Sequence, residues 1–235
     1  MSTDAKNRNQ ELPVGQYTLN LETGEIREPL RTTKTTISHS SIRIHGRSRL
    51  EKQFKGMSEI WMIAYVQNIE FIPLLIEGVG IKKLRVILGK SMSLAWKKTH
   101  DVDLFEKLAK WQIDGTLEVR VAINNWDMHE KWNLCWSDDR AHFAELNGSA
   151  NPTNTGSGAT GKQSNRMTRI DMKDDYETDP YYQSLIKQWE WYVENSEEFL
   201  GSLIELLENE PEIEWRPKII KWIESDGESD AADPI

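Results

Sequence analysis

The stretch HEKWNLCWSDDRAHFAELNGSAN, residues 129–151, sets His129 and Lys131 two positions apart and follows them with Gly148, Ser149 and Asn151. An imidazole, an ammonium, a hydroxyl and an amide therefore mark its two ends. Cutting a phosphodiester without a metal calls for groups of this kind: a nucleophile, donors that hold the phosphoryl oxygens as charge builds, and an acid for the leaving alkoxide. An imidazole, partly unprotonated at neutral pH, can attack phosphorus to give a covalent phosphoenzyme, while a second, protonated imidazole serves the departing oxygen. Strand side chains repeat every two residues, so on a strand Lys131 shares a face with His129 and sets its ammonium beside the oxyanion. Ser149 and Asn151, also two apart, add a hydroxyl and an amide donor.

These groups converge only if the two ends of the stretch lie on neighbouring strands. HEKWNLCW (129–136) and HFAELNGSA (142–150) read as such strands, joined by the polar turn SDDRA. Ahead of them, SEIWMIAYVQN (58–68), KKLRVILG (82–89) and LEVRVAIN (117–124) read as strands. Between these, IEFIPLLIEGVG (69–80) has helical spacing broken near Pro73, and DVDLFEKLAKWQIDG (101–115) reads as an amphipathic helix ending near Gly115. Alternating strands and helices predict an α/β layer with a largely parallel sheet.

Upstream, QYTLNLETGEIREPL reads as a hairpin, and the Thr-, Ser- and base-rich RTTKTTISHSSIRIHGRSR as an extended arm. Downstream, PTNTGSGATGK (152–162) is a Gly/Ser/Thr loop, NRMTRIDM a further strand, and the residues after Pro180 one long helix through Glu210. Its Tyr182, Leu185, Trp189, Tyr192, Phe199, Leu203 and Leu206 recur at helical spacing, as core packing requires. A short helix around RPKIIKWIES precedes DGESDAADPI, read as a disordered acidic tail. The expected division is an N-terminal hairpin and arm over 1–50, the α/β unit over 51–205, and a short helix and tail over 206–235.

The net charge of −9 conceals a polarity, since residues 170–235 carry 19 acids and 5 bases and the rest 24 bases and 19 acids. The part holding the motif is thus mildly basic, and the acidic whole is poor evidence against a polyanionic ligand. The polar start MSTDAKNRNQEL lacks the apolar core of a secretory signal, and no stretch approaches membrane-spanning length, so a soluble, cytoplasmic chain is expected. A lone Cys135 can form neither an intrachain disulfide nor a thiolate cluster, and the five histidines include no i, i+4 pair; the expected chemistry uses no metal and no cofactor.

H-E-K at 129–131 followed by G-S-A-N at 148–151 resembles the paired halves of the phospholipase D superfamily signature, HxK(x)4D and GSxN. The α/β pattern ahead of it is also similar to that superfamily's half-domain, so the likeness covers roughly 58–200. It implies a metal-independent phosphodiesterase with a phosphohistidine intermediate. His129 would attack, Lys131 and Asn151 would hold the phosphate, and Ser149 would support them. Single-motif members pair as symmetric dimers in which the second histidine is the acid, so a homodimer is implied. Short single-motif members resemble nucleases more than lipid hydrolases, which implies a nucleic-acid substrate and, by analogy alone, a part in defence against foreign nucleic acid. Gly148, Lys162, Arg166 and Arg169 would then serve substrate binding; ordinary solvated charge is the plainer account of the three bases.

Two departures stand out. Trp136 occupies the place of the motif Asp, and Gly148 comes five residues later than the pattern has it. The nearest acids are Asp138 and Asp139 in the turn and Glu145 on the next strand, of which Glu145 is the candidate for the missing role. An alternative therefore stays open: a degenerate site on a binding or scaffolding subunit, meeting a partner protein through the acidic helical C-terminus.

Overall fold

The computed structural model describes residues 18–19, 26–27, 35–44, 50–64, 70–89, 101–123, 131–149 and 165–229. It is an α/β structure built on one large mixed sheet. Strands β1 (Thr18–Leu19) and β2 (Ile26–Arg27) form a two-stranded antiparallel ladder, as the hairpin reading expects. The main sheet comprises β3 (Thr36–Ile44), β4 (Glu59–Ala64), β5 (Lys83–Leu88), β6 (Leu117–Ala122), β7 (Trp132–Trp136), β8 (His142–Gly148), β9 (Asn165–Lys173) and β10 (Ser196–Glu198). Their spatial order is β10-β6-β5-β4-β7-β8-β9-β3.

The expectation of a largely parallel sheet is corrected by the pairings. Only β4–β5 and β5–β6 are parallel; the other five neighbouring pairs are antiparallel. The cause lies in the connections. Parallel neighbours need a crossover, and helices supply one where α1 (Phe71–Pro73, continued by a π-helical turn Leu74–Val79) follows β4 and α2 (Val102–Ile113) follows β5. From β7 to β9 each strand pairs antiparallel with the next in sequence, and β3 and β10 add antiparallel to the two edges. The Thr/Ser/base-rich arm supplies β3, paired with β9 along its length from Thr36↔Lys173 to Ile44↔Asn165, so it is the outer strand of the sheet rather than a separate unit.

Helix α2 begins where the Asp101 carboxylate accepts from the Leu104 N–H (3.0 Å), an N-cap that satisfies one orphan donor. It buries Leu104, Phe105, Leu108 and Ala109 and stops before Gly115, whose φ of 80° suits a residue without a Cβ. Helix α3 (Pro180–Glu194) starts in the same way, with Asp179 accepting from the Tyr181 N–H and Pro180 in the first turn.

The single long helix expected after Pro180 is instead α3, the strand β10 and α4 (Gly201–Leu207). The apolar residues show why. Tyr182, Leu185 and Trp189 bury on one sheet face with Trp132, Trp136 and Phe143, whereas Phe199, Leu200, Leu203 and Leu207 bury on the other with Ile60, Val86 and Phe105. A chain that fills both cores must cross the sheet edge, and Ser196–Glu198 does so while pairing with β6. Helix α5 (Trp215–Ser229) then packs Trp215, Ile219, Trp222 and Ile223 into the second core. Residues 226–229, expected in a disordered tail, are its last turn. No helix among the described residues is long and apolar enough to cross a membrane.

Candidate functional site

The carboxyl ends of β4, β5 and β6 lie in one row with the start of β7, the end of β8 and the start of β9. Register fixes that row as Val121, Leu88 and Ala64, then Lys131 opposite Gly148, then Met167 and Ile42. Lys131 extends the β7 ladder by one residue, its carbonyl accepting from the Gly148 N–H at 3.2 Å. Lys131 and Gly148, one described residue from each half of the sequence motif, are thus direct cross-strand neighbours at the end of an α/β sheet where ligands ordinarily sit, outside the carboxyl ends of the parallel strands.

Close packing of β8 on β9 explains the glycine. A Cβ built on Gly148 would stand 2.8 Å from the Met167 Cα and 3.1 Å from the Arg166 carbonyl carbon, both backbone atoms. Beyond it, the Ser149 N–H donates to the Arg166 carbonyl (3.0 Å), and the Ser149 hydroxyl accepts from the Arg166 N–H (3.2 Å) while reaching the Asn165 Oδ1 at 3.1 Å. Ser149 is therefore a clamp between strand ends. Its proton faces an amide oxygen, which is no general base. We expect Gly148→Ala to cost about 2 kcal/mol or more through displacement of the β8–β9 end, read as a fall in urea midpoint with an unchanged m-value.

Lys131 shares a face with Asn133 and Cys135 by strand alternation. Burial lowers its pKa from the ordinary lysine value. Asn133, itself buried, donates from Nδ2 to the Leu146 carbonyl (3.2 Å). Asn165, also buried, is a polar group beside Ser149 that sequence reading missed; no motif flags it, and the pairing of β9 with β8 brings it there.

Glu145 does not join Lys131. Its cross-strand partner is Leu134, so by alternation it points, as Ser149 does, to the opposite sheet face from Lys131; the hydroxyl and the ammonium thus sit at one sheet end but on different faces, which corrects their expected convergence. On its own face Glu145 accepts from Trp132 Nε1 (2.8 Å) and from the Tyr181 hydroxyl. A buried carboxylate held by two donors is a structural acceptor, and the catalytic part expected of it is corrected on that geometry. Trp136, in the place of the motif Asp, lies on that same face, fully buried against Trp61 (ring centroids 4.6 Å apart) and Phe143 (5.3 Å).

Arg169 is likewise committed. Its Nε donates to both Asp171 oxygens (2.8 and 2.9 Å), and its guanidinium also reaches the Gln53 carbonyl. His142 Nε2 lies 2.7 Å from the same carboxylate. Burial pushes the Asp171 pKa up, and the Arg169 and His142 contacts outweigh it, leaving the carboxyl below its ordinary value. This network ties β8 and β9 to the turn at 50–57, so Arg169 is corrected from substrate binding to structure. Arg166, by contrast, is exposed. His129, Asn151 and Lys162 lie outside the described residues.

Among the described residues no group of three or more His, Cys, Asp or Glu side chains is placed to hold a metal ion. No family model matches the chain, and no curated protein matches it.

Proposed function

We propose that the chain is a phosphodiesterase of the phospholipase D type that cleaves DNA or RNA through a covalent phosphohistidine, its active site completed by a second copy of the chain. The observation that carries this reading is the pairing of Lys131 with Gly148, which puts the described residues of the two motif halves, Lys131 and Gly148–Ser149, on adjacent strands at one sheet end. The imidazole of His129 bonds to phosphorus as the bond to the leaving oxygen breaks, and the partner subunit's His129, as imidazolium, gives that oxygen its proton. Water then attacks phosphorus, the phosphorus–nitrogen bond breaks, and the proton shed by water returns to the partner subunit's imidazole. Lys131 and Asn151 hold the non-bridging oxygens, and Ser149 fixes the strand ends that carry them.

Charge supports a nucleic-acid substrate. The chain leaves the sheet at this end after β3, β4, β5, β6 and β8, and the segments 45–49, 65–69, 90–100, 124–130 and 150–164 hold by sequence six Lys or Arg against two acids. The test is incubation of the protein with labelled DNA and RNA in excess EDTA. Cleavage by the parent and none by His129→Ala, a loss of at least about a thousandfold, is the expected result.

One observation favours a second reading. With Trp136 and Glu145 both built into the opposite face, no described acid occupies the place of the motif Asp. On that reading the chain is a binding or scaffolding subunit that meets a partner protein through α4 and α5. Binding without cleavage in the same assay selects it.

A further inference from the structure

The apolar cluster under α3 covers only part of its sheet face. It includes Phe143, Met172, Tyr176, Tyr182 and Trp189, with Ile37 and Ile170 packed at its margin. Toward the end of the sheet that carries Lys131 and Ser149, the same face of β8, β9 and β3 is polar and exposed. Two cross-strand rows make it up: Asn147, Thr168 and Ser41, and then Ser149, Arg166 and Arg43.

Arg43 and Arg166 stand directly opposite one another in the β3–β9 register. Neither makes an ion pair with a described residue, and no acid occupies either row. Like charges directly opposite on a sheet are destabilising. Two facing guanidiniums flanked by hydroxyls and an amide form a surface that an anion with spaced charges relieves, and these are the donor types that contact nucleic-acid phosphates. The row ends at Ser149, which accepts from the Arg166 N–H, at the sheet end where Lys131 lies on the opposite face.

We propose that this strip, centred on Arg43 and Arg166, is the track along which the phosphodiester backbone of a nucleic-acid strand reaches the sheet end at Ser149, with Lys131 on the opposite face of that end. The inference rests on the phosphodiesterase reading for the direction of the track, while its binding chemistry stands without it. Arg43 belongs to an arm that lies far from the motif in sequence, and it enters the site's surroundings only through the β3–β9 pairing.

The test measures anisotropy of a fluorescein-labelled single-stranded DNA, and of an RNA of the same sequence, on the His129→Ala protein in EDTA across a salt series. Arg43→Ala and Arg166→Ala should each weaken binding and each flatten the slope of log affinity against log salt by about 0.7, the share of one phosphate contact on a single strand. Lys221→Ala, on the exposed side of α5, should leave both unchanged. Affinity and slope equal to the His129→Ala parent in both arginine variants would overturn the proposal, as would absence of binding by that parent. An occupant that is instead an acidic protein segment gives the first of these results. Failure of the phosphodiesterase reading looks different: the protein with His129 intact binds, the arginine variants bind less, and nothing is cleaved.

Discussion

Trp136→Asp, which puts the acid of the phospholipase D signature at the corresponding position of this chain, should unfold the protein. Trp136 is fully buried between Trp61 and Phe143, and its indole N–H lies 3.4 Å from the Tyr182 hydroxyl. Removing such a ring costs about 3–5 kcal/mol in cavity and lost contacts alone. The new carboxylate would then face Glu59, the cross-strand partner of position 136. Glu59 is itself buried and already takes up the Arg140 guanidinium and the Trp61 indole N–H. Two buried carboxylates would share the Arg140 guanidinium, which lies over the Trp136 ring, and the Lys83 ammonium 3.9 Å from Glu59, so the charge adds to the cavity cost and brings the loss into the range of an ordinary domain's stability, about 5–15 kcal/mol. Urea melts followed by tryptophan emission would read the loss directly. Part of it should return on acidification, because a carboxyl whose folded-state pKa is raised binds its proton more tightly folded than unfolded. Trp136→Phe, which keeps an aromatic ring, should stay folded. An aspartate variant that melts with the parent would mean that the aromatic cluster does not hold this face together.

The same residue shows where sequence reading reaches its limit. Spacing along the motif identifies position 136 as the place of an acid, but cannot say which face of the hairpin the extra residues of a longer turn turn inward. Alternation settled the strands themselves: β4, β5, β6, β7 and β8 all fall inside the segments expected from the sequence, and β9 runs one residue past NRMTRIDM, to Lys173. Their neighbours were not legible, because pairing is a long-range choice. β7 lies antiparallel to β4, and nothing local to WNLCW encodes that. The helix expected through Glu210 failed for a related reason. Helical spacing continues across Asn195 in the sequence, but the two apolar sets serve opposite faces of one sheet. In the candidate site, Lys131, Gly148 and Ser149 were readable from residue type and spacing. Asn165 and Arg43 were not, since each is brought in by a strand from elsewhere in the chain. Arg169 looked like its neighbour Arg166 in sequence and differs from it by pleat: one points at Asp171 and Gln53, the other at solvent.

Lys131→Met should lower EDTA-resistant cleavage by about a hundred- to a thousandfold, the usual loss when one preorganised donor to a developing oxyanion is removed. Substrate affinity should change much less, since an interaction made chiefly in the transition state falls on kcat and kcat/KM together. Methionine keeps most of the aliphatic stem that partial burial demands, which separates the charge from the packing. The pH dependence carries a second, independent signature. Burial lowers the Lys131 pKa, so the ammonium loses its proton at a lower pH than the ordinary lysine value of about 10.4. If that ammonium holds the phosphate, the alkaline limb of kcat/KM falls with it, below the pH at which a solvated lysine would titrate. Lys131→Arg should move the limb upward, because a guanidinium stays protonated throughout that range. An alkaline limb that stays in place in the arginine variant would assign the titration to another group and remove Lys131 from phosphate binding, whatever the methionine variant does to the rate.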